Sequence, residues 1–123
     1  MSAPVVLTAI ADLFFVAKIQ ASLKPHGYTV VKLGSAAEIF AAIADGTPAC
    51  LVIDLDNGRI DAMQIIERLK GDPEVRVPVL AYTNHGNVEG IRRALALGAD
   101  KVVARSELSA HLPRLVAGLS SGR

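Results

Sequence analysis

A parallel α/β sheet covered by helices on both faces is the fold class this sequence predicts, and three observations predict it. Short β-branched runs alternate with segments of helical period, the pattern a series of strand–helix–strand crossovers writes into a chain. Most of the strand runs are apolar at successive positions, as strands buried on both faces require. At 123 residues and 51% apolar content, the chain can bury one sizeable core but not two. Residues 1–123 are therefore expected to form one domain, with 119–123 as a flexible tail and no internal repeat.

Each element has its own signal. The strands are expected from Val5 to Ile10, Thr29 to Lys32, Cys50 to Asp54, Val77 to Tyr82 and Lys101 to Ala104. Phe15, Ile19 and Leu23 recur at a spacing of four, a buried stripe on the first helix, which Pro25 and Gly27 terminate. Ser35-Ala36-Ala37-Glu38 is a capping box ahead of Ile39, Phe40 and Ile43, and that second helix ends near Gly46. Asp61 caps a third helix with Ile65, Ile66 and Leu69 inward, stopped by Gly71 and Pro73. Asn87 opens the fourth, with Ile91 and Leu95 inward and Gly98 past its end. Pro113 would cost about 3 kcal/mol inside a helix, so the fifth is expected to start at Ser109, with Pro113 near its first turn.

Composition excludes several functions. Thirteen basic against 12 acidic residues, a formal charge of +1, leave no electrostatic footprint for nucleic acid or a membrane surface. No apolar stretch approaches the roughly 20 residues of a membrane span, and no basic segment precedes the first apolar run, so a cytoplasmic protein is expected. Cys50 is the single cysteine and reads as a buried small hydrophobe. His26, His85 and His111 lack metal-ligand spacing, and only His85, two residues past Thr83, could reach a site at the strand ends. Phosphate-binding glycine loops and Gly-x-Ser-x-Gly are absent, which argues against a nucleotide enzyme or a hydrolase.

Three residues stand at three successive strand ends: the carboxylate of Asp54, the hydroxyl of Thr83 and the guanidinium of Arg105. In an open α/β sheet that edge is where ligands collect. Leu51-Val52-Ile53-Asp54, the following Asp61, Val77-Pro78-Val79 leading to Thr83, and Leu97-Gly98-Ala99-Asp100 together resemble the receiver domain of bacterial response regulators, essentially end to end. The resemblance implies a flavodoxin-like doubly wound (βα)5 sandwich of three layers with strand order 2-1-3-4-5. It also implies an acceptor aspartate, here Asp54, phosphorylated by a histidine kinase. Thr83 takes the hydroxyl position, and such domains hold Mg²⁺ with an acidic pair after strand one.

The departures from that pattern are as informative. Ile10 and Ala11 occupy the positions of the acidic pair, so no metal site is expected, and Mg²⁺ belongs only to the reading in which Asp54 is still phosphorylated. Asp12 and Asp56 read as a helix cap and a turn residue, which would compensate only if a loop bent inward. Arg105 replaces the family's lysine, and it is expected to close on Asp54 as an ion pair that lowers the carboxyl pKa. Ser106 replaces a proline, which predicts a trans peptide there, and Val102 replaces an aromatic switch. Leu13 and Phe14 are apolar where receivers are polar; they either fold over the emptied pocket or form a docking patch. Arg92 and Arg93 read as a solvated helix face or as partner contacts.

These residues predict an atypical stand-alone receiver, not an enzyme, that works by binding signalling proteins, a histidine kinase or a downstream target, without phosphorylation, as a monomer or a homodimer. A conventional receiver phosphorylated on Asp54 is the alternative, and a small-molecule-binding module of the same fold is the second.

Overall fold

The computed structural model describes residues 3–120. In chain order it contains β1 (Val5–Ala9), α1 (Leu13–Leu23), β2 (Thr29–Lys32), α2 (Ala36–Asp45), β3 (Cys50–Asp54), α3 (Ala62–Gly71), β4 (Val79–Thr83), α4 (Val88–Ala96), β5 (Lys101–Ala104) and α5 (Arg105–Ser120). All strand pairs are parallel and the order is β2-β1-β3-β4-β5, the flavodoxin-like doubly wound arrangement. Pairing of Ala9 with Ile53, Asp54 with Tyr82 and Thr83 with Ala104 brings the carboxyl ends of β1, β3, β4 and β5 to one edge.

Successive strand residues alternate between two cores. Val6, Val52 and Leu80 face α1 and α5, whereas their neighbours Leu7, Leu51 and Val79 face the layer of α2, α3 and α4. Both faces are covered, which is why the strands read as continuous apolar runs. Cys50 is fully buried, and burial pushes its thiol up to about 12. Among the described residues, no helix is long and apolar enough to cross a membrane.

Helix starts follow local chemistry. Asp12 Oδ1 accepts from the amides of Phe14 and Phe15 at 3.0 and 3.2 Å, and Asp61 Oδ1 accepts from Gln64 N at 3.1 Å. Ser35 Oγ accepts from Glu38 N at 3.1 Å; the reciprocal arm of that box reaches Gly34 N, one residue earlier than the standard motif. Beyond α1, Lys24–His26 form one 3-10 turn that ends on Gly27 at φ 87°. The Leu97-Gly98-Ala99-Asp100 segment is a staple: Gly98 has φ 110°, and Asp100 Oδ2 accepts from Val79 N at 2.7 Å and from Lys70 Nζ at 2.6 Å. A Cβ at Gly98 would also press on Lys70 Cβ at 2.8 Å.

Five expectations are corrected. β1 ends at Ala9, one residue short of the expected Ile10. β4 starts two residues later than expected and includes Thr83, because Pro78 has no N–H to donate to the ladder. On α4, Leu95 is 48% exposed and Ile91 half-buried, while Ala94 is fully buried. The inward line runs Ile91–Ala94–Leu97, because a small residue lets the helix lie close on β4 and β5. α5 starts at Arg105, and the chain breaks at His111 (φ −129°, ψ 22°) before Pro113. Proline thus does sit in the first turn of a helical segment, but another helical segment precedes it, and Leu108, Leu112 and Val116 carry one buried stripe through the break. Leu119 and Ser120 are helical; the remainder of the expected tail, 121–123, lies outside the described residues.

Candidate functional site

The strand ends enclose an open cavity of about 920 Å³ whose lining includes Asp12, Asp54, Asp56, Tyr82, Thr83 and Arg105. Asp54, the last residue of β3, is half-buried, and its Oδ1 accepts from Asp56 N at 2.9 Å. Burial raises its pKa above the ordinary carboxylate value, and the Asp56 N–H and the Arg105 charge only partly offset this. Thr83 is 1% exposed. Its hydroxyl donates to Asp56 Oδ2 at 2.7 Å and accepts from Asn87 Nδ2 at 3.1 Å.

Arg105 does not close on Asp54 as expected. It donates to Asp12 Oδ2 at 2.9 Å and lies over the Phe15 ring, its guanidinium carbon 4.1 Å from the centroid. Because α5 begins at Arg105 and α1 is capped by Asp12, the two helix starts face one another across the cavity mouth. The Arg105 hydrogen bond, followed by that from the Phe15 amide, holds the Asp12 carboxyl below its ordinary value. The expected lowering of Asp54 is overturned for the same reason: the cation is engaged elsewhere and burial dominates.

Behind that ion pair stands an aromatic wall. Phe15 packs on Tyr82 with centroids 5.3 Å apart and planes at 56°. The Tyr82 hydroxyl is buried near Asp54 without a partner at hydrogen-bond geometry among the described residues, and burial, followed by the Asp54 charge, raises its pKa.

Ile10 is 1% exposed, part of the α1/α5 core, while Ala11 is at the surface. Among the described residues, no group of three His, Cys, Asp or Glu side chains is placed to hold a metal ion. The nearby carboxylates are otherwise engaged, Asp12 with Arg105 and Asp56 with Thr83. The donor set therefore does not fit the Mg²⁺ site that the fold family implies. Asp56, read as a turn residue, does turn inward, but onto Thr83.

Phe14 is 90% and Leu13 64% exposed, so neither fills the cavity, although Phe14 stands at its rim. His85 also lines it. Arg92 and Arg93 lie on the solvent side of α4, away from the cavity, and Arg92 pairs with Glu89. Val102 is half-buried in the α2–α4 core. The peptide before Ser106 is trans.

Sequence reasoning missed three contributors. Tyr82 carried no signal beyond its place in an apolar strand. Asn87 was legible as a cap but not as a partner of Thr83. Asn57, in the Asp-Asn-Gly turn, is 7% exposed and donates from Nδ2 to Ala9 O at 3.2 Å, tying the loop after β3 to the end of β1.

A doubly wound sheet with an aspartate, a hydroxyl and a cation gathered at its carboxyl edge defines a receiver-type signalling module. The model of the response regulator receiver domain matches residues 11–117, and the chain belongs to that family. It is 27% identical over 93 residues, 75% of this chain, to a gliding motility regulatory protein of Myxococcus xanthus. It is 35% identical over 81 residues, 63% of this chain, to the methanol utilization control regulatory protein MoxX of Paracoccus denitrificans. The chain spans 12% and 35% of those two proteins' lengths. The signal receiver domain of a signal transduction histidine kinase from Syntrophus aciditrophicus superposes with a TM-score of 0.84 at 22% identity, covering 98% of this chain and 92% of that one.

Proposed function

We propose that this receiver is atypical and acts by phosphorylation-independent contact with signalling proteins rather than by Mg²⁺-dependent phosphotransfer or any catalysis of its own. The observation that carries this reading is the corner beside Asp54. The positions that would anchor a metal are a buried isoleucine, Ile10, and an alanine, Ala11. A phosphoryl dianion approaching Asp54 there would meet the like charges of Asp54 and Asp56 without a divalent cation between them. Asp54 is the phosphoacceptor-equivalent position, and Thr83 and Arg105 are the pocket residues, each already engaged by a neighbour.

The conventional alternative, phosphorylation of Asp54 by a histidine kinase, is favoured by one observation: Asp54 and Thr83 do line one cavity. Mg²⁺ titration separates the two readings. Saturable binding at millimolar concentrations, with a shift in the Asp54 carboxyl resonance, is the conventional result; no saturable shift at Asp54 is expected. The contact surface on this reading includes Leu13 and Phe14, with Arg92 and Arg93 as further contacts. Its partner is a kinase, a downstream target or a second copy, and neither nucleic acid nor a membrane is among its ligands.

A further inference from the structure

Three hydrogen bonds run in series from the cavity to α4. Thr83 Oγ1 donates to Asp56 Oδ2 at 2.7 Å, Asn87 Nδ2 donates to Thr83 Oγ1 at 3.1 Å, and Asn87 Oδ1 accepts from Gly90 N at 3.0 Å. We propose that Asn87 couples the position of the Thr83 hydroxyl to the order of the first turn of α4, a conformational link between cavity and helix that bypasses β5. The proposal goes beyond phosphorylation-independent binding, and it stands whether or not Asp54 accepts phosphate.

The chemistry of the carboxamide supports the link. Asn87 presents an NH₂ group to Thr83 and a carbonyl oxygen to Gly90, and a flipped amide would set two donors against each other at Gly90. The contact with Thr83 thus fixes the orientation in which Asn87 can cap. Thr83 is 1% exposed, so water does not readily replace its hydroxyl as the acceptor. The three bonds also polarise one another, which makes each depend on the next. Gly90 is part of the device: a Cβ there would collide with the Asn87 carboxamide.

α4 is the element that such a device can move. Ala94 is its one fully buried residue, and Val88, directly after the cap, is 70% exposed. With so narrow a contact, the first turn depends strongly on its N-cap. Val102, packed in the α2–α4 core, cannot swing between rotamers as an aromatic would. A guanidinium or ammonium group of a partner entering the cavity would claim the Asp56 carboxylate and release Thr83. The Asn87 cap would then loosen.

Amide hydrogen exchange of the full chain tests this at two sites, Gly90 N–H on Asn87 Oδ1 and Ile91 N–H on Asn87 O. Thr83→Val removes the hydroxyl at nearly constant volume. It is expected to speed exchange at Gly90 and Ile91 by about threefold or more, a fraction of what full loss of a cap would do, with Val52 and Leu80 unchanged. Thr83→Ser should keep wild-type rates. Asn87→Ala should speed exchange by itself and abolish any further effect of Thr83→Val. Wild-type rates at Gly90 and Ile91 in Thr83→Val would overturn the proposal. So would equal acceleration at Val52 and Leu80, or the same added factor in the Asn87→Ala background. Should valine prevent folding, Thr83→Ala, smaller at the same site, is read by the same criteria.

Discussion

Asp54 is a carboxylate that the fold makes harder to ionise. Its folded-state pKa lies above the unfolded value, so its contribution to stability is fully present below the unfolded pKa and is lost as pH rises through the folded one. Asp54→Asn, which cannot ionise, should therefore have a higher urea midpoint than wild type at neutral pH. At about pH 3, where the carboxyl is protonated in both states, the difference should vanish. A lower midpoint for Asp54→Asn at neutral pH would mean that the charge is favoured in the fold. Asp12 runs the other way: its lowered pKa gives stability above the unfolded value that is lost as pH falls through the folded one. Arg105→Ala should thus be most destabilising near neutral pH and least so in acid, read from the same titration. That Asp12 takes Arg105 was illegible in the sequence, since the pair spans 93 positions and depends on where α5 starts.

At the level of the element, what is local was legible and what is tertiary was not. Asp12, Ser35, Asp61 and Asn87 all cap as their spacing implies, because a cap is decided within four residues of chain. The inward face of α4 was not, because Leu95 and Ala94 differ by one position and only the closeness of β4 and β5 decides between them. The break at His111 was hidden likewise: Pro113 reveals a first turn, but not whether a helix precedes it. Two substitutions check the packing. Ile66→Ala, at a fully buried position on α3, should cost about 2 to 5 kcal/mol in chemical denaturation. Leu95→Ala, on the exposed side of α4, should stay within about 0.5 kcal/mol of wild type. A large loss at Leu95 and a small one at Ile66 would invert the described burial.

For the whole molecule, the family resemblance carried the strand order, while the gathering of Asp54, Thr83 and Arg105 at one edge was legible from their places at successive strand ends. The bonds within that gathering needed coordinates. Phe14 bears on what the molecule does, since it is 90% exposed beside the cavity. Phe14→Asp should leave thermal stability unchanged while weakening self-association or partner capture, read by sedimentation and pull-down. A stable variant with undiminished association would remove Phe14 from the functional surface. The central claim, that Asp54 is not a working phosphotransfer site, is tested most directly by intact mass after incubation with acetyl phosphate and Mg²⁺. No phosphate adduct is predicted, whereas a stoichiometric adduct that is lost in Asp54→Asn would contradict the account.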